Sequence, residues 1–108
     1  MNKLTEQEIE IILKNKINIE KITDGNTHVF YSDGCIGIGV SYEHFGFEPF
    51  CIGYEFCIIV NGRRINISGY FHDIFDAVIS ITEEWNNQIF IFENQKSSDE
   101  FDVLSYFY

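Results

Sequence analysis

The side chains best suited to nucleophilic or metal chemistry are His28, His44, His72, Cys35, Cys51 and Cys57. A structural zinc site draws its ligands from short paired spacings such as C-x-x-C or H-x-x-x-H, and neither occurs. Cys51 and Cys57 stand six apart in what reads as one strand, with the same facing, so no metal is expected. A cysteine nucleophile needs a base within hydrogen-bond reach and a third group to orient that base. Nothing in the spacing brings Cys35 or Cys57 to His28 or His72, and no G-x-S-x-G elbow is present. Gly37-Ile38-Gly39 starts like a dinucleotide loop, but Tyr42 stands where the third glycine belongs and no helix follows. Glycines inside a strand mark close packing or a bulge. No catalytic residue, cofactor or metal is therefore expected. Three cysteines, each in a strand-like run, read as buried or half-buried free thiols of a reducing compartment.

The acids are more informative. Seventeen of them oppose seven lysines and arginines, a net charge of −10. That excludes binding to nucleic-acid phosphates, which requires clustered cations, and docking on anionic membranes. Residues 1–64 hold nine acids and six bases, whereas residues 65–108 hold eight acids and Lys96 alone. The eight are Asp73, Asp76, Glu83, Glu84, Glu93, Asp99, Glu100 and Asp102. A surface of this kind repels itself, so its retention without interspersed lysines points to a complement on a basic partner. The bland alternative is a solvated face that keeps the chain dissolved. Phe45, Phe47 and Phe50 fall in a loop, and Tyr106, Phe107 and Tyr108 end the chain. The expected partner-binding set is the eight acids with Tyr106 and Tyr108 as apolar anchors, since aromatic residues dominate hot spots.

The elements that must hold these residues follow from pattern. At 108 residues, 45% of them hydrophobic, the chain makes one domain spanning 1–108. Thr5-Glu6-Gln7-Glu8 fits a capping box ahead of a helix carrying Ile9, Ile12 and Leu13 on one stripe. Ile17, Ile19 and Ile22 then predict a strand, followed by Thr27 to Ser32 and by Cys35 to Tyr42. In the last of these, Ile36, Ile38, Val40 and Tyr42 alternate with Cys35, Gly37, Gly39 and Ser41. Asn61-Gly62 between two alternating runs is a type I′ hairpin signature, pairing residues whose numbers sum to 123: Ile58 with Ile65, Cys57 with Asn66, Phe56 with Ile67, Tyr54 with Gly69. A slip of one residue would reverse every facing.

A second helix is predicted over about 73–87, capped by Asp73 and placing Ile74, Val78, Ile81 and Trp85 on one side. Phe75, Ala77 and Ile79 are expected to widen that apolar arc. Gln88 to Glu93 and Phe101 to Tyr108 read as strands, with a helix capped by Ser98 as the alternative for the last piece. The predicted fold is α+β: an antiparallel β-sheet of about 5–6 strands with the N-terminal helix and the second helix packed on one face. No run of 18 apolar residues occurs and Met1–Glu6 lacks the apolar stretch of a signal peptide, so a cytoplasmic location in a bacterial host cell is expected.

This layout resembles the small acidic anti-CRISPR inhibitors of phages and mobile elements. The shared features are an N-terminal helix, a small antiparallel sheet, and a helical segment with a Trp-Asn pair (Trp85-Asn86) followed by acids (Glu93, Asp99, Glu100, Asp102). The resemblance implies a non-enzymatic inhibitor that occupies the nucleic-acid-binding surface of a Cas effector by mimicry, without binding nucleic acid itself. The alternative is an immunity protein that neutralises a bacterial toxin nuclease with the same electrostatics.

Overall fold

The computed structural model describes residues 2–22, 26–44 and 52–105, with 19, 43–44, 52 and 95–105 described by backbone alone. Helix α1 (Glu6–Lys16) begins at the expected capping box. Thr5 Oγ1 accepts from Glu8 N at 3.1 Å, and Thr5 N donates to Glu8 Oε1 at 3.2 Å. Glu6 and Glu8 in its first turn and Lys14 and Lys16 in its last oppose the helix dipole. Its Ile9 and Leu13 are buried.

Four strands follow in an antiparallel sheet of order β1-β2-β3-β4: β1 (His28–Asp33), β2 (Ile36–His44), β3 (Ile52–Val60) and β4 (Arg63–Asn66). Asn61 and Gly62 take φ of 51° and 79°, as a type I′ turn requires. Cys57 pairs with Asn66, Ile58 with Ile65 and Ile59 with Arg64, as the sum of 123 demands. That register ends at Ile67, whose N–H donates to Phe56 O. Tyr54 does not lie opposite Gly69. It exchanges both backbone hydrogen bonds with Phe71 instead. Gly69, at φ 105°, takes up the two-residue slip.

The register of β1 on β2 shifts between Val29 and Tyr31. Such a bulge turns two consecutive residues toward one face. Phe30 meets the Phe56 ring edge-on at 6.3 Å, and Tyr31 meets Trp85 at 5.6 Å, so both reach the core side. Ile36, Ile38 and Val40 line that same side of β2 and are buried.

The sheet has four strands among the described residues, not the expected 5–6. Ile17, Ile19 and Ile22 form no strand. Asn18 O accepts from Lys21 N and Asn18 Oδ1 from Glu20 N, closing a 3-10 turn at Ile19–Lys21 that competes with extension. The larger correction concerns the tail. Asp73 Oδ1 caps a 3-10 turn (Ile74–Ala77) through Phe75 N, and α2 (Val78–Ser105) then runs for 28 residues. Gln88 to Glu93 is therefore helix, and so are 101–105; position 98 lies inside α2 and not at the start of a separate helix. The reason is spacing. Ala77, Ile81, Trp85 and Ile89 recur every four residues and all are buried, so Ile89 prolongs the stripe that Trp85 carries. No glycine or proline interrupts the chain after Gly69.

Both helices cover one face of the sheet, α1 lying on α2 and β1, and α2 on β3. Phe75 and Ile79, expected to widen the buried arc of α2, are exposed instead. The N-terminal segment is tied down by the Trp85-Asn86 pair. Trp85 Nε1 donates to Asn2 O at 2.9 Å. Asn86 Oδ1 accepts from Leu4 N and Asn86 Nδ2 donates to Leu4 O, both at 2.8 Å. Among the described residues no helix is long and apolar enough to cross a membrane.

Candidate functional site

Among the described residues, chemistry-bearing side chains do not converge. Among the described residues no three His, Cys, Asp or Glu side chains could hold a metal ion. Cys57 sits mid-strand in β3, whereas Cys35 lies in the β1–β2 turn, its carbonyl accepting from Asn61 N. His28 stands in register with Val40, and so on the core side, while Cys57 faces the opposite side with Gly39. A Cys57–His28 dyad is thereby ruled out by facing. His72 is exposed. Burial pushes the Cys57 thiol up, an effect partly opposed by the Arg64 guanidinium and a backbone hydrogen bond from Gly39. A thiol held protonated is a poor nucleophile.

The face of the sheet away from the helices is crossed by its own side chains, with Val29 left half exposed. Gly37 and Gly39 leave a trough along β2. A Cβ at Gly39 would lie 2.7 Å from Thr27 Cγ2 and 3.0 Å from Cys57 Sγ. Arg64 crosses this trough. Its Nε donates to Asn66 Oδ1 at 2.7 Å, its Nη1 donates to Thr27 Oγ1, and its Nη2 lies 3.8 Å from Glu55 Oε1. Between the β3–β4 hairpin and α2 runs an open groove of about 610 Å³ lined by Val60, Asn61, Arg63, Ile65, Gln88, Ile91 and Phe92. It contains no acid–base pair or nucleophile.

The expected acidic set falls mostly on α2 and its entry turn. Asp73 is spent on capping. Asp76 and Glu83 are exposed, and neither has an ion-pair partner among the described residues. Glu84 is half-buried and accepts from Gln88 Nε2 at 2.9 Å. Glu93 is exposed. Asp99, Glu100 and Asp102 belong to α2, whose backbone alone is described there; Tyr106 and Tyr108, with Phe45, Phe47, Phe50 and Cys51, lie outside the described residues. At about 100° per residue, Glu84 and Glu93 stand roughly 100° and 80° to either side of Glu83. Glu83, Glu84 and Glu93 thus cover about half the circumference of α2 and do not form one stripe.

Two residues of the outer side escaped the sequence pattern. Ile79 and Phe90, 57% and 54% exposed, flank Glu83 on the helix surface. The available signal was angular: Ile79 lies about 120° from Trp85, outside the buried arc. Trp85-Asn86, read from sequence as part of a family layout, serves here to clamp residues 2–4. Compared with protein-family models, curated proteins and solved structures, the chain matches none.

Proposed function

We propose that this protein is a non-enzymatic acidic inhibitor that binds a basic, nucleic-acid-binding surface of a partner protein, with α2 as the contacting element. The observation that carries the reading is the pair Asp76 and Glu83: both exposed and both without a cation among the described residues. In a chain of net charge −10 such groups raise the energy of the folded state, and a basic partner relieves that repulsion. The attraction accelerates association and weakens with salt. Because Glu83, Glu84 and Glu93 alone spread over about half the circumference of α2, the reading favours a partner that partly surrounds the helix. A Cas effector is the partner class proposed first; a toxin nuclease neutralised by an immunity protein uses the same electrostatics.

The test starts from the chain immobilised in host extract, with the captured protein identified by mass spectrometry. Binding of that protein to its own DNA or RNA should fall as the chain is added. Asp76→Lys with Glu83→Lys should keep the native circular dichroism yet weaken capture about tenfold or more at low salt. A partner that still binds nucleic acid with the chain in saturation overturns the reading, as does undiminished capture by the double variant.

A further inference from the structure

Ile79, Glu83 and Phe90 lie within about 40° of one another around α2, so they form a single line along its outer side. Ile79 and Phe90 are separated by 11 residues, about three turns or roughly 16 Å. Both are more than half exposed. Asn86, the other residue near this line, is turned to Leu4, so residues 2–4 flank the seam on one side. Asp76 precedes the line by one turn and Glu93 follows it by one, both exposed. The pattern is an apolar seam with Glu83 at its centre, Asp76 one turn before the seam and Glu93 one turn after it, about 60° to the side of Phe90. We propose that this seam docks a basic amphipathic helix of about three to four turns from a partner protein, with apolar side chains set over Ile79 and Phe90 and Lys or Arg beside Asp76, Glu83 and Glu93.

Charge selects this occupant over a second copy of the chain. A two-fold antiparallel pairing that sets Ile79 on Phe90 of the other copy also sets Asp76 opposite Glu93, twice, between two bodies of net charge −10. The two apolar side chains offer on the order of 200 Å², against about 800 Å² per partner in a stable interface. A cationic helix reverses the sign of every one of those contacts and adds surface of its own. A helix seated on Ile79, Glu83 and Phe90, the i, i+4 and i+11 positions, packs at the shallow angle of helix pairs.

This inference rests on the proposed function only in making α2 the contacting element. The test titrates the full chain, 15N-labelled, with a synthetic 18-residue Leu/Lys amphipathic peptide and with its Leu/Glu counterpart. Amide shifts should centre on Ile79, Glu83, Asn87 and Phe90 for the Lys peptide and be missing for the Glu peptide. Ile79→Ser with Phe90→Ser should weaken the Lys peptide about tenfold or more, while Arg63→Ala leaves it unchanged. Three results would overturn the proposal: equal binding of the Glu peptide, shifts centred elsewhere, or a dimer in sedimentation that the serine pair dissolves. Peptide binding that ignores the serine pair, with capture still lost on Asp76 and Glu83 reversal, sinks this inference and leaves the inhibitor reading standing. Binding at the seam with no partner inhibited has the opposite meaning.

Discussion

Replacing Asn86 by Ala should destabilise the protein by about 2 kcal/mol, although the residue belongs to neither the apolar core nor any charged cluster. Its side-chain amide closes two hydrogen bonds of 2.8 Å with the backbone of Leu4, whose own side chain is buried in the core. Each such bond contributes about 1 kcal/mol net, and the part-buried Leu4 amide recovers only some of it from water. At about 4–8 °C per kcal/mol for a domain near 100 residues, the midpoint should fall by roughly 8–16 °C. Asn86→Asp separates the two bonds. The carboxylate still accepts from Leu4 N but sets its second oxygen against Leu4 O, so it should cost more than Ala at neutral pH. Repulsion by the carbonyl raises that carboxyl in the folded state. The deficit relative to Ala is therefore full above the folded value and shrinks as pH falls and the acid regains a proton to donate. The assay is urea unfolding followed by tryptophan fluorescence, for which Trp85 is the single, fully buried reporter. An Asn86→Ala variant within about 0.5 kcal/mol of wild type, at unchanged m-value, would refute the clamp.

Other outcomes follow from the outer face of the sheet. Gly39→Ala should cost about 1–3 kcal/mol, because its methyl would press on Thr27 Cγ2 and Cys57 Sγ. Thr27→Ser removes that methyl but keeps the hydroxyl for Arg64, and should restore about 1 kcal/mol in a double-mutant cycle; zero coupling would show that the crowding is relieved elsewhere. Burial also raises the Cys57 thiol and, with nearby Asp33 and Glu8, the Tyr31 phenol. A group raised in the folded state contributes stability below its unfolded pKa, and this is lost as pH climbs through the folded value. Stability should thus decline above about pH 9. Cys57→Ala should flatten part of that decline, and an identical slope in the variant would contradict it.

How much was legible in the sequence depended on how local the cause was. The capping box of α1 and the Asn61-Gly62 turn are decided within four residues, and both formed as written. The alternation of Ile36, Ile38 and Val40 names the buried side of β2 because a strand has two faces only. The run Gln88-Ile89-Phe90-Ile91-Phe92 misled for the converse reason. Its β-branched and aromatic composition favours a strand, while the buried Ile81-Trp85-Ile89 spacing binds it to α2, and packing overrode propensity. The bulge that turns both Phe30 and Tyr31 inward leaves no trace in residue type. Nor does the inward use of Asn86, since its partner lies 82 residues away. The acids were legible as a bias of charge; their spread around α2 emerged only once the helix passed Asn87 without a break.

The bond by which Arg64 of β4 reaches Thr27, beside Gly39, has a wider meaning for how this molecule meets others. A sheet covered by helices on one side only usually leaves its bare side open to stacking, a route to unwanted assembly. Here the strand at the middle of that bare side has been stripped of side chains, and neighbouring residues fold down to roof it. Arg64 is held there at three points, by Asn66, Thr27 and Glu55. Under the proposed function, contact then falls to the helical side, where Asp76 and Glu83 are exposed.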